Sequence, residues 1–245
     1  MKIIYETKGR AREYCELAAS MYLGCAHGCF YCFAPQVLRK TRNDFIHARE
    51  RKGVIDALVK EAPLYEGKEV LMSFTTDPYQ PIDEDLRLTR HALEIFVQNN
   101  IRPVILTKGG MRSVRDFDIL SYCGGKYGTT LTYLDPAFSQ LEEPAAAPPQ
   151  ERLDALMQAH EGGIETWVSL EPVIDPEETI EIIRRTYDFV DEYRIGVLNY
   201  DRRAKSIDYR KFAETAVEML ALYGKRYYIK TDLREYLRQE PAASL

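Results

Sequence analysis

Short apolar runs alternate with longer amphipathic stretches along most of the chain. The short runs are rich in β-branched and aromatic residues, which predicts strands. The predicted strands are 14–21, 69–74, 103–107, 128–132, 165–170, 192–197 and 226–229. The longer stretches have apolar residues three or four positions apart, which predicts helices. The predicted helices are 54–61, 87–99, 114–122, 151–161, 176–187 and 208–223.

The order of these elements predicts the fold. Asp175-Pro176-Glu177-Glu178 combines a capping residue, a proline in the first turn and early acids, which is typical of a helix start. Strands that alternate with helices form βα units and a parallel sheet. The sequence therefore predicts an α/β fold, a partial (β/α)6 barrel of the TIM type. We expect a single domain over residues 1–245, with a C-terminal extension from about residue 200.

Polar residues cluster where the predicted strands end. The second strand runs into Ser73-Phe74-Thr75-Thr76-Asp77-Pro78-Tyr79-Gln80-Pro81. The next strand ends are marked by Lys108, then by Thr130, Thr132 and Asp135, then by Ser169-Leu170-Glu171-Pro172, and finally by Asn199. Catalytic groups in such folds gather at the carboxyl ends of the strands. The pattern therefore predicts a site at one edge of the sheet.

Three side chains in these segments are candidate catalytic groups: Asp77, Tyr79 and Glu171. Glu171 lies on the same period-two face as Ser169, which favours a carboxylate aimed into the barrel over a plain strand end. Lys108 precedes a Gly-Gly turn. It either meets a ligand carboxylate or is an ordinary surface lysine.

The composition favours a cytoplasmic protein. No apolar run among the 245 residues approaches the roughly 20 residues of a membrane span, and the first residues lack the long apolar region of a signal peptide. The net charge of −5 argues against broad, non-specific binding of nucleic acids. Local basic stretches nevertheless occur at 39–42 and 202–205.

Three of the five cysteines are clustered, with the spacing Cys25-x3-Cys29-x2-Cys32. Thiolates this close together on a loop suit a soft metal or an iron–sulfur cluster. A structural zinc site is normally closed by four protein ligands, so three thiolates leave one position open for a reactant. The other two cysteines, Cys15 and Cys123, are expected to be small buried apolar residues.

The cysteine spacing, with Tyr31 directly before the last cysteine, resembles the radical S-adenosylmethionine (radical SAM) superfamily. The resemblance implies that Cys25, Cys29 and Cys32 bind a [4Fe-4S] cluster whose free iron chelates the amino and carboxylate groups of SAM. It implies that one electron, from a donor of the flavodoxin or ferredoxin type, cleaves SAM to methionine and a 5′-deoxyadenosyl radical. That radical then abstracts a hydrogen atom from a substrate.

The strand ends resemble one branch of the superfamily, the spore photoproduct lyase-like proteins. In that branch the second strand ends in Thr/Ser-Asp-Pro-Tyr-Gln-Pro and the third in Thr-Lys, and here Glu143-Pro144, Pro148 and Arg152 match a further stretch. The resemblance implies a set of SAM contacts. These are the backbone around Tyr31 for adenine, Thr76 with Thr75 and Asp77 for the amino group, Lys108 for the carboxylate or ribose, and Thr130 or Thr132 for the ribose.

Two departures leave the substrate open. Phe74 stands where the repair enzyme of that branch has a hydrogen-donating cysteine, and only 24 residues precede Cys25. A nucleic acid or another macromolecule is a candidate substrate, and DNA photolesion cleavage is one alternative function. Another alternative is a non-catalytic zinc-binding or nucleic acid-binding protein, in which His27 or His47 completes a site with the three cysteines.

Overall fold

The structure is a computed structural model that describes residues 2–238. Its ten strands within that range are β1 (Ile4–Glu6), β2 (Leu17–Ala19), β3 (Tyr22–Leu23), β4 (Arg49–Glu50), β5 (Glu69–Met72), β6 (Arg102–Thr107), β7 (Lys126–Thr130), β8 (Glu165–Val173), β9 (Glu192–Val197) and β10 (Arg226–Ile229). The seven predicted strands are thereby confirmed with small shifts at their ends. The short strands β1, β3 and β4 were not predicted, because two or three residues give no readable period.

Eleven α-helices lie between or beside the described strands. They are α1 (Ala34–Val37), α2 (Arg42–Ile46), α3 (Val54–Glu61), α4 (Ile82–Leu86), α5 (Leu88–Gln98), α6 (Phe117–Cys123), α7 (Pro136–Glu142), α8 (Pro149–Glu161), α9 (Pro176–Thr186), α10 (Tyr209–Leu222) and α11 (Thr231–Arg238). Four 3₁₀ segments occur at Gly9–Glu13, Ala62–Tyr65, Gly110–Asp116 and Arg202–Ser206. All six predicted helices are present, and the side chain of Asp175 caps α9 by accepting a hydrogen bond from the amide of Glu178.

Eight strands form one sheet, in the order β1-β2-β5-β6-β7-β8-β9-β10. Every neighbouring pair from β2 to β10 is parallel, and β1 pairs antiparallel with β2. Six crossovers through helices connect these seven parallel strands. The first and last strands do not pair, so the sheet is an open, partial TIM-type barrel, as the sequence predicts.

The two faces of the sheet have different partners. On the convex face Val70, Ile105 and Val168 pack against the helices in the main hydrophobic core. On the concave face a smaller cluster contains Leu71 and Trp167. This alternation follows from the period of two along a strand, and both faces of a parallel sheet are buried in such folds.

The segment between β1 and β2 crosses the concave side of the barrel and joins its two ends. The guanidinium of Arg194 on β9 donates to the carbonyls of Glu13 and Tyr14. The carboxylate of Glu13 accepts hydrogen bonds from the amide and hydroxyl of Thr231 at 2.8 and 2.7 Å. The hydroxyl of Tyr228 on β10 also donates to the carboxylate of Glu13 at 3.3 Å. Chain that precedes the first parallel strand thus contacts the last one, which the sequence pattern does not reveal.

Residues after Tyr200 contribute α10, β10 and α11, and β10 belongs to the main sheet. The last part of the predicted C-terminal extension, 239–245, lies outside the described residues, as does Met1. No helix in the range 2–238 has the length and apolar character that would be needed to cross a lipid bilayer.

Candidate active site

A cavity of about 380 Å³ opens at the carboxyl ends of the parallel strands. Its walls come from the loop that carries the three cysteines, from the ends of β5 to β10, and from the segment before β2. This is the edge of the sheet at which the polar strand ends predict a site. The volume lies within the range of small-molecule sites, about 300–1,000 Å³.

The cysteine loop follows β3 and places Cys25, Cys29 and Cys32 in the wall of the cavity. Burial raises the pKa of Cys29 to about 12 and that of Cys25 well above its ordinary value. Both thiols are therefore neutral at pH 7 unless a cation replaces the proton. Cysteine binds metal as the thiolate, so a metal or cluster bound here would replace the protons of these thiols.

Gln80, from the segment after β5, holds the cysteine loop in place. Its side-chain oxygen accepts a hydrogen bond from the amide of Ala26 at 2.9 Å, and its nitrogen donates to the carbonyl of Gly24 at 3.4 Å. Gly24 has φ +79°, and a Cβ atom there would lie 2.6 Å from the carbonyl oxygen of Phe45. Only glycine fits this turn, because a side chain would meet backbone.

His27 is buried inside the same loop, and both of its ring nitrogens have protein neighbours. Nδ1 lies 3.4 Å from a carboxylate oxygen of Asp77, and Nε2 lies 3.4 Å from the guanidinium of Arg112. Burial lowers the pKa of His27 to about 4, so the ring is neutral at pH 7. These contacts favour a role for His27 in fixing the loop over a role as a zinc ligand.

A buried ion pair lies behind the cysteine loop. Arg152 contacts the carboxylate of Glu143 at 2.5 Å and also donates to the carbonyl of Ala147 at 2.7 Å. Burial alone would raise the pKa of Glu143, but the charges of Arg152 and Lys108 lower it. The other carboxylate oxygen of Glu143 accepts a hydrogen bond from the hydroxyl of Tyr31. The residues that match the family stretch thus anchor the side chain next to Cys32.

The predicted SAM-binding residues are largely brought together. Tyr31, Thr75, Thr76, Lys108 and Thr130 all line the cavity with the cysteines. The Lys108 ammonium lies 5.5 Å from the centre of the Tyr31 ring. Burial works against the charged form of Lys108, yet the negative charge that Cys29 carries when ionised and the carboxylate of Glu143 raise its pKa. A permanently cationic side chain in this wall is suited to a ligand carboxylate.

The structure separates three of the other predicted residues by their surroundings. Asp77 lines the cavity, but it accepts hydrogen bonds from the hydroxyl of Thr107 at 2.6 Å and the amide of Lys108 at 2.7 Å. Its geometry favours holding the ends of β5 and β6 together over a catalytic role. Tyr79 is fully buried outside the cavity, and Thr132 bonds the Tyr31 hydroxyl at 3.2 Å. A substrate-contacting role for Tyr79 is therefore not supported.

The last predicted residue, Glu171, has partners that sequence reasoning missed. Its carboxylate accepts the hydroxyl of Tyr14 at 2.5 Å and contacts the ammonium of Lys230. That ammonium lies 3.5 Å from the centre of the Tyr14 ring. Gly196 leaves the space for this group, since a Cβ there would lie 2.7 Å from the carboxylate. All three side chains line the cavity, so the barrel interior supplies a second polar group besides the cysteine loop.

Within residues 2–238, no group of three or more His, Cys, Asp or Glu side chains is arranged to hold a single metal ion. A mononuclear zinc site built from the three cysteines and His27 or His47 is therefore not supported. Three thiols on one loop remain compatible with a cluster, in which each thiolate binds a different iron.

Comparison with known proteins finds one matching family model and relatives with similar sequences. Residues 19–190, more than half of the chain, match the family model described as the Radical SAM superfamily. The uncharacterized protein MJ0683 of Methanocaldococcus jannaschii is 28% identical over 187 residues, which cover 74% of this chain and 69% of the relative. The uncharacterized protein ORF301 of Acidianus two-tailed virus is 26% identical over 190 residues, which cover 71% of this chain and 61% of the relative.

Solved structures share the fold at low sequence identity. Spore photoproduct lyase complexed with dinucleoside spore photoproduct aligns with a TM-score of 0.68 and 14% identity, over 91% of this chain and 78% of that chain. Streptococcus suis SuiB bound to S-adenosylmethionine aligns with a TM-score of 0.64 and 12% identity, over 92% and 53%. SuiB bound to its precursor peptide SuiA aligns with a TM-score of 0.62 and 13% identity, over 90% of this chain and 51% of that chain. This chain therefore spans about half the length of SuiB.

Proposed function

Because this chain belongs to the radical SAM superfamily, we propose that it is an enzyme that uses a [4Fe-4S] cluster and S-adenosylmethionine to start radical chemistry on a bound substrate. One observation carries the proposal. The three cysteines, most of the predicted SAM contacts and the Glu171–Lys230 pair line one continuous cavity. A reactive species formed near the cysteines would therefore reach a substrate without crossing bulk water.

The residues present suit the cluster. Cys25, Cys29 and Cys32 would each bind one iron. His27 in the same loop is held by its contact with Asp77. When bound, the cluster and SAM together supply a 5′-deoxyadenosyl radical and methionine. The SAM-bound SuiB structure supports the use of SAM within this fold.

The chain's own residues would then position SAM. Lys108 would bind its carboxylate, Thr76 with Thr75 its amino group, and Thr130 its ribose. Tyr31 is held rigidly through its hydroxyl by Glu143, so its backbone would offer a fixed surface to the adenine. Such preorganisation keeps the reacting atoms in a productive arrangement.

The substrate would occupy the end of the cavity lined by Tyr14, Glu171 and Lys230. The carboxylate and the ammonium present a hydrogen-bond acceptor beside a donor, so they would orient a polar group of the substrate. The neighbours crystallised with a dinucleoside and with a precursor peptide support a segment of a macromolecule as substrate. DNA photolesion cleavage is less favoured, because Phe74 lines the cavity where a hydrogen-donating thiol would be needed.

Anaerobic reconstitution tests this proposal. Protein loaded with iron and sulfide should be brown, with thiolate-to-iron absorbance near ~400 nm, and should form 5′-deoxyadenosine from SAM and dithionite. Cys29→Ala should lose both the absorbance and the product. Cys123→Ala is the matched control, because Cys123 lies at the end of α6 outside the cavity and should keep both. Colourless protein with stoichiometric zinc, or product formation by Cys29→Ala, would contradict the proposal.

A further inference from the structure

A second cleft, of about 800 Å³, lies on the exposed side of the cysteine loop. It shares Tyr31, Cys32, Asn199 and Tyr200 with the first cavity, so only the loop itself separates the cleft from the proposed cluster site. Electron transfer requires close approach of donor and acceptor. An external reductant bound in this cleft would therefore lie close to the proposed cluster site.

The cleft carries positive charge on a chain whose net charge is −5. Lys40, Arg42 and Arg202 are exposed in its wall. Arg42 donates to the carbonyl oxygens of Cys29 and Cys32 at 3.0 and 3.5 Å, which fixes its position. Within residues 2–238 no carboxylate forms an ion pair with it. Two of the proposed cluster ligands thus touch a cationic surface directly.

Exposed apolar side chains lie among these cations. Phe30 and Tyr200 are 56% and 69% exposed in the cleft, and Val37 and Leu38 on the neighbouring helix end are exposed as well. Apolar anchors surrounded by a polar or charged rim are typical of protein–protein interfaces. The combination fits a protein partner whose surface carries the opposite charge.

We propose that this cationic cleft, defined by Phe30, Lys40, Arg42, Tyr200 and Arg202, is the docking site of an acidic one-electron carrier protein. The inference rests on the proposed function, since it assigns the partner that reduces the cluster. In the step the carrier loses one electron and the cluster gains it, and no atom is transferred. Electrostatic attraction would steer the carrier so that its cofactor faces Cys32.

A single-stranded nucleic acid is the competing occupant, and the contacts favour it less. Bases bind such surfaces by stacking on free aromatic faces. The guanidinium groups of Arg42 and Arg203 lie 5.6 and 5.4 Å from the centre of the Phe30 ring, where a base would otherwise stack. Arg203 is also paired with the carboxylates of Glu142 and Asp201, which reduces the charge available to phosphates.

The test compares two doubly substituted full-length, cluster-loaded proteins. Lys40→Glu with Arg202→Glu reverses two charges in the cleft and leaves Arg42, which contacts the cysteine loop, untouched. Lys60→Glu with Lys68→Glu makes the same change in net charge at the opposite end of the barrel, where Lys60 lies in the last turn of α3 and Lys68 precedes β5. Both pairs are exposed, so the fold should be retained.

Two readouts use an acidic flavodoxin as the probe. Titration calorimetry with oxidised flavodoxin at low salt measures association, and stopped-flow bleaching of the cluster absorbance after mixing with reduced flavodoxin measures electron transfer. We expect the cleft variant to bind flavodoxin about 10-fold more weakly than the wild type and to be reduced by it about 10-fold more slowly. The control variant should match the wild type in both measurements.

Reduction by dithionite, which needs no docking partner, distinguishes a failure of the proposed function from a failure of the docking inference. If dithionite fails to reduce the wild-type cluster, the proposed function is contradicted. If dithionite works and the cleft variant accepts electrons from flavodoxin as fast as the control, the docking inference is wrong. Weaker binding of a single-stranded oligonucleotide by the cleft variant, with unchanged reduction by flavodoxin, would also overturn it.

Discussion

Two carboxylate–cation pairs lie near the same cavity and use their hydrogen-bonding groups differently. In the pair Glu143–Arg152 both side chains are fully buried, and the guanidinium also donates to the carbonyls of Ala147 and Thr130. The pair Glu171–Lys230 lines the cavity, and one carboxylate oxygen accepts hydrogen bonds from both the Tyr14 hydroxyl and the Lys230 ammonium. Among the described residues no hydrogen bond reaches the other oxygen of Glu171.

The difference separates a structural pair from a pair available to ligands. A buried ion pair is tolerated when further hydrogen bonds satisfy its charges, and arginine supplies five donors in a fixed fork. Glu143–Arg152 meets that condition and holds Tyr31 beside the cysteines. In Glu171–Lys230 one carboxylate oxygen has no hydrogen bond among the described residues, which is consistent with the proposed substrate role of this pair. The predictions below test this division, beginning with the largest expected effect.

Arg152→Met should cause the largest loss. Removing one partner of a buried pair leaves the carboxylate of Glu143 unpaired, which typically costs about 3–5 kcal/mol in the free energy of unfolding. Denaturation by guanidinium chloride measures the loss. Arg226→Met is the control, because the Arg226 side chain is 58% exposed in its pair with Glu165, and such pairs contribute about 0–1 kcal/mol. Equal losses in both variants would refute the structural role of Arg152.

Lys108→Met should weaken SAM binding without removing a bond of either pair. Loss of a charged hydrogen bond to the SAM carboxylate corresponds to about 1.5–3 kcal/mol, or roughly a 10- to 150-fold rise in the dissociation constant. Calorimetric titration of the cluster-loaded protein with SAM measures the change. Lys126→Met is the matched control, because Lys126 lies at the start of β7 and pairs with Glu69. An unchanged dissociation constant in Lys108→Met would remove the carboxylate assignment.

The sequence predicts much of this arrangement, because the information lies within short segments. The alternation of apolar runs predicts all seven parallel strands, and the capping sequence before Pro176 predicts the start of α9. The period of two in β8 predicts that Glu171 shares a face with Ser169, and Tyr14 contacts both side chains. Local chemistry and local period thus suffice for the strands and for the edge at which the site lies.

The remaining features depend on contacts between distant parts of the chain. Tyr14 is 157 positions from Glu171, and only the folded barrel brings them together. Tyr79 lies in the same polar segment as Asp77, yet the turn after β5 buries it beneath Gly109, where a Cβ would lie 2.5 Å from the Tyr79 side chain. A strand-end position therefore does not distinguish a side chain that lines the cavity from one that supports it.

Tyr31→Phe and Tyr14→Phe form a matched test, because each hydroxyl donates to the carboxylate of one pair. Tyr31→Phe leaves an oxygen of Glu143 without a donor in a dry environment, which costs about 1–3 kcal/mol. After Tyr14→Phe the carboxylate of Glu171 still contacts Lys230 and still lines the cavity. The free energy of unfolding should therefore fall by about 0.5–1.5 kcal/mol. Chemical denaturation of both variants measures the losses. A larger loss for Tyr14→Phe would reverse the division between the two pairs.

Lys230→Met tests the cavity pair through its pH dependence, the smallest effect expected. Burial lowers the pKa of Lys230, although the carboxylates of Glu171 and Glu13 oppose that change and Arg194 adds to it. The unfolded chain then holds the proton more tightly than the folded one, so this group's contribution to stability rises as the pH increases toward the ordinary lysine value of 10.5.

That pH contribution is absent in Lys230→Met. The free energy of unfolding of the wild type minus that of the variant should therefore grow between pH 7 and pH 10. Urea denaturation at several pH values measures the difference. A difference that stays constant or shrinks would mean that the folded chain does not disfavour the charged ammonium. Lys230 would then resemble the fully compensated Arg152, and the contrast between the two pairs would fail.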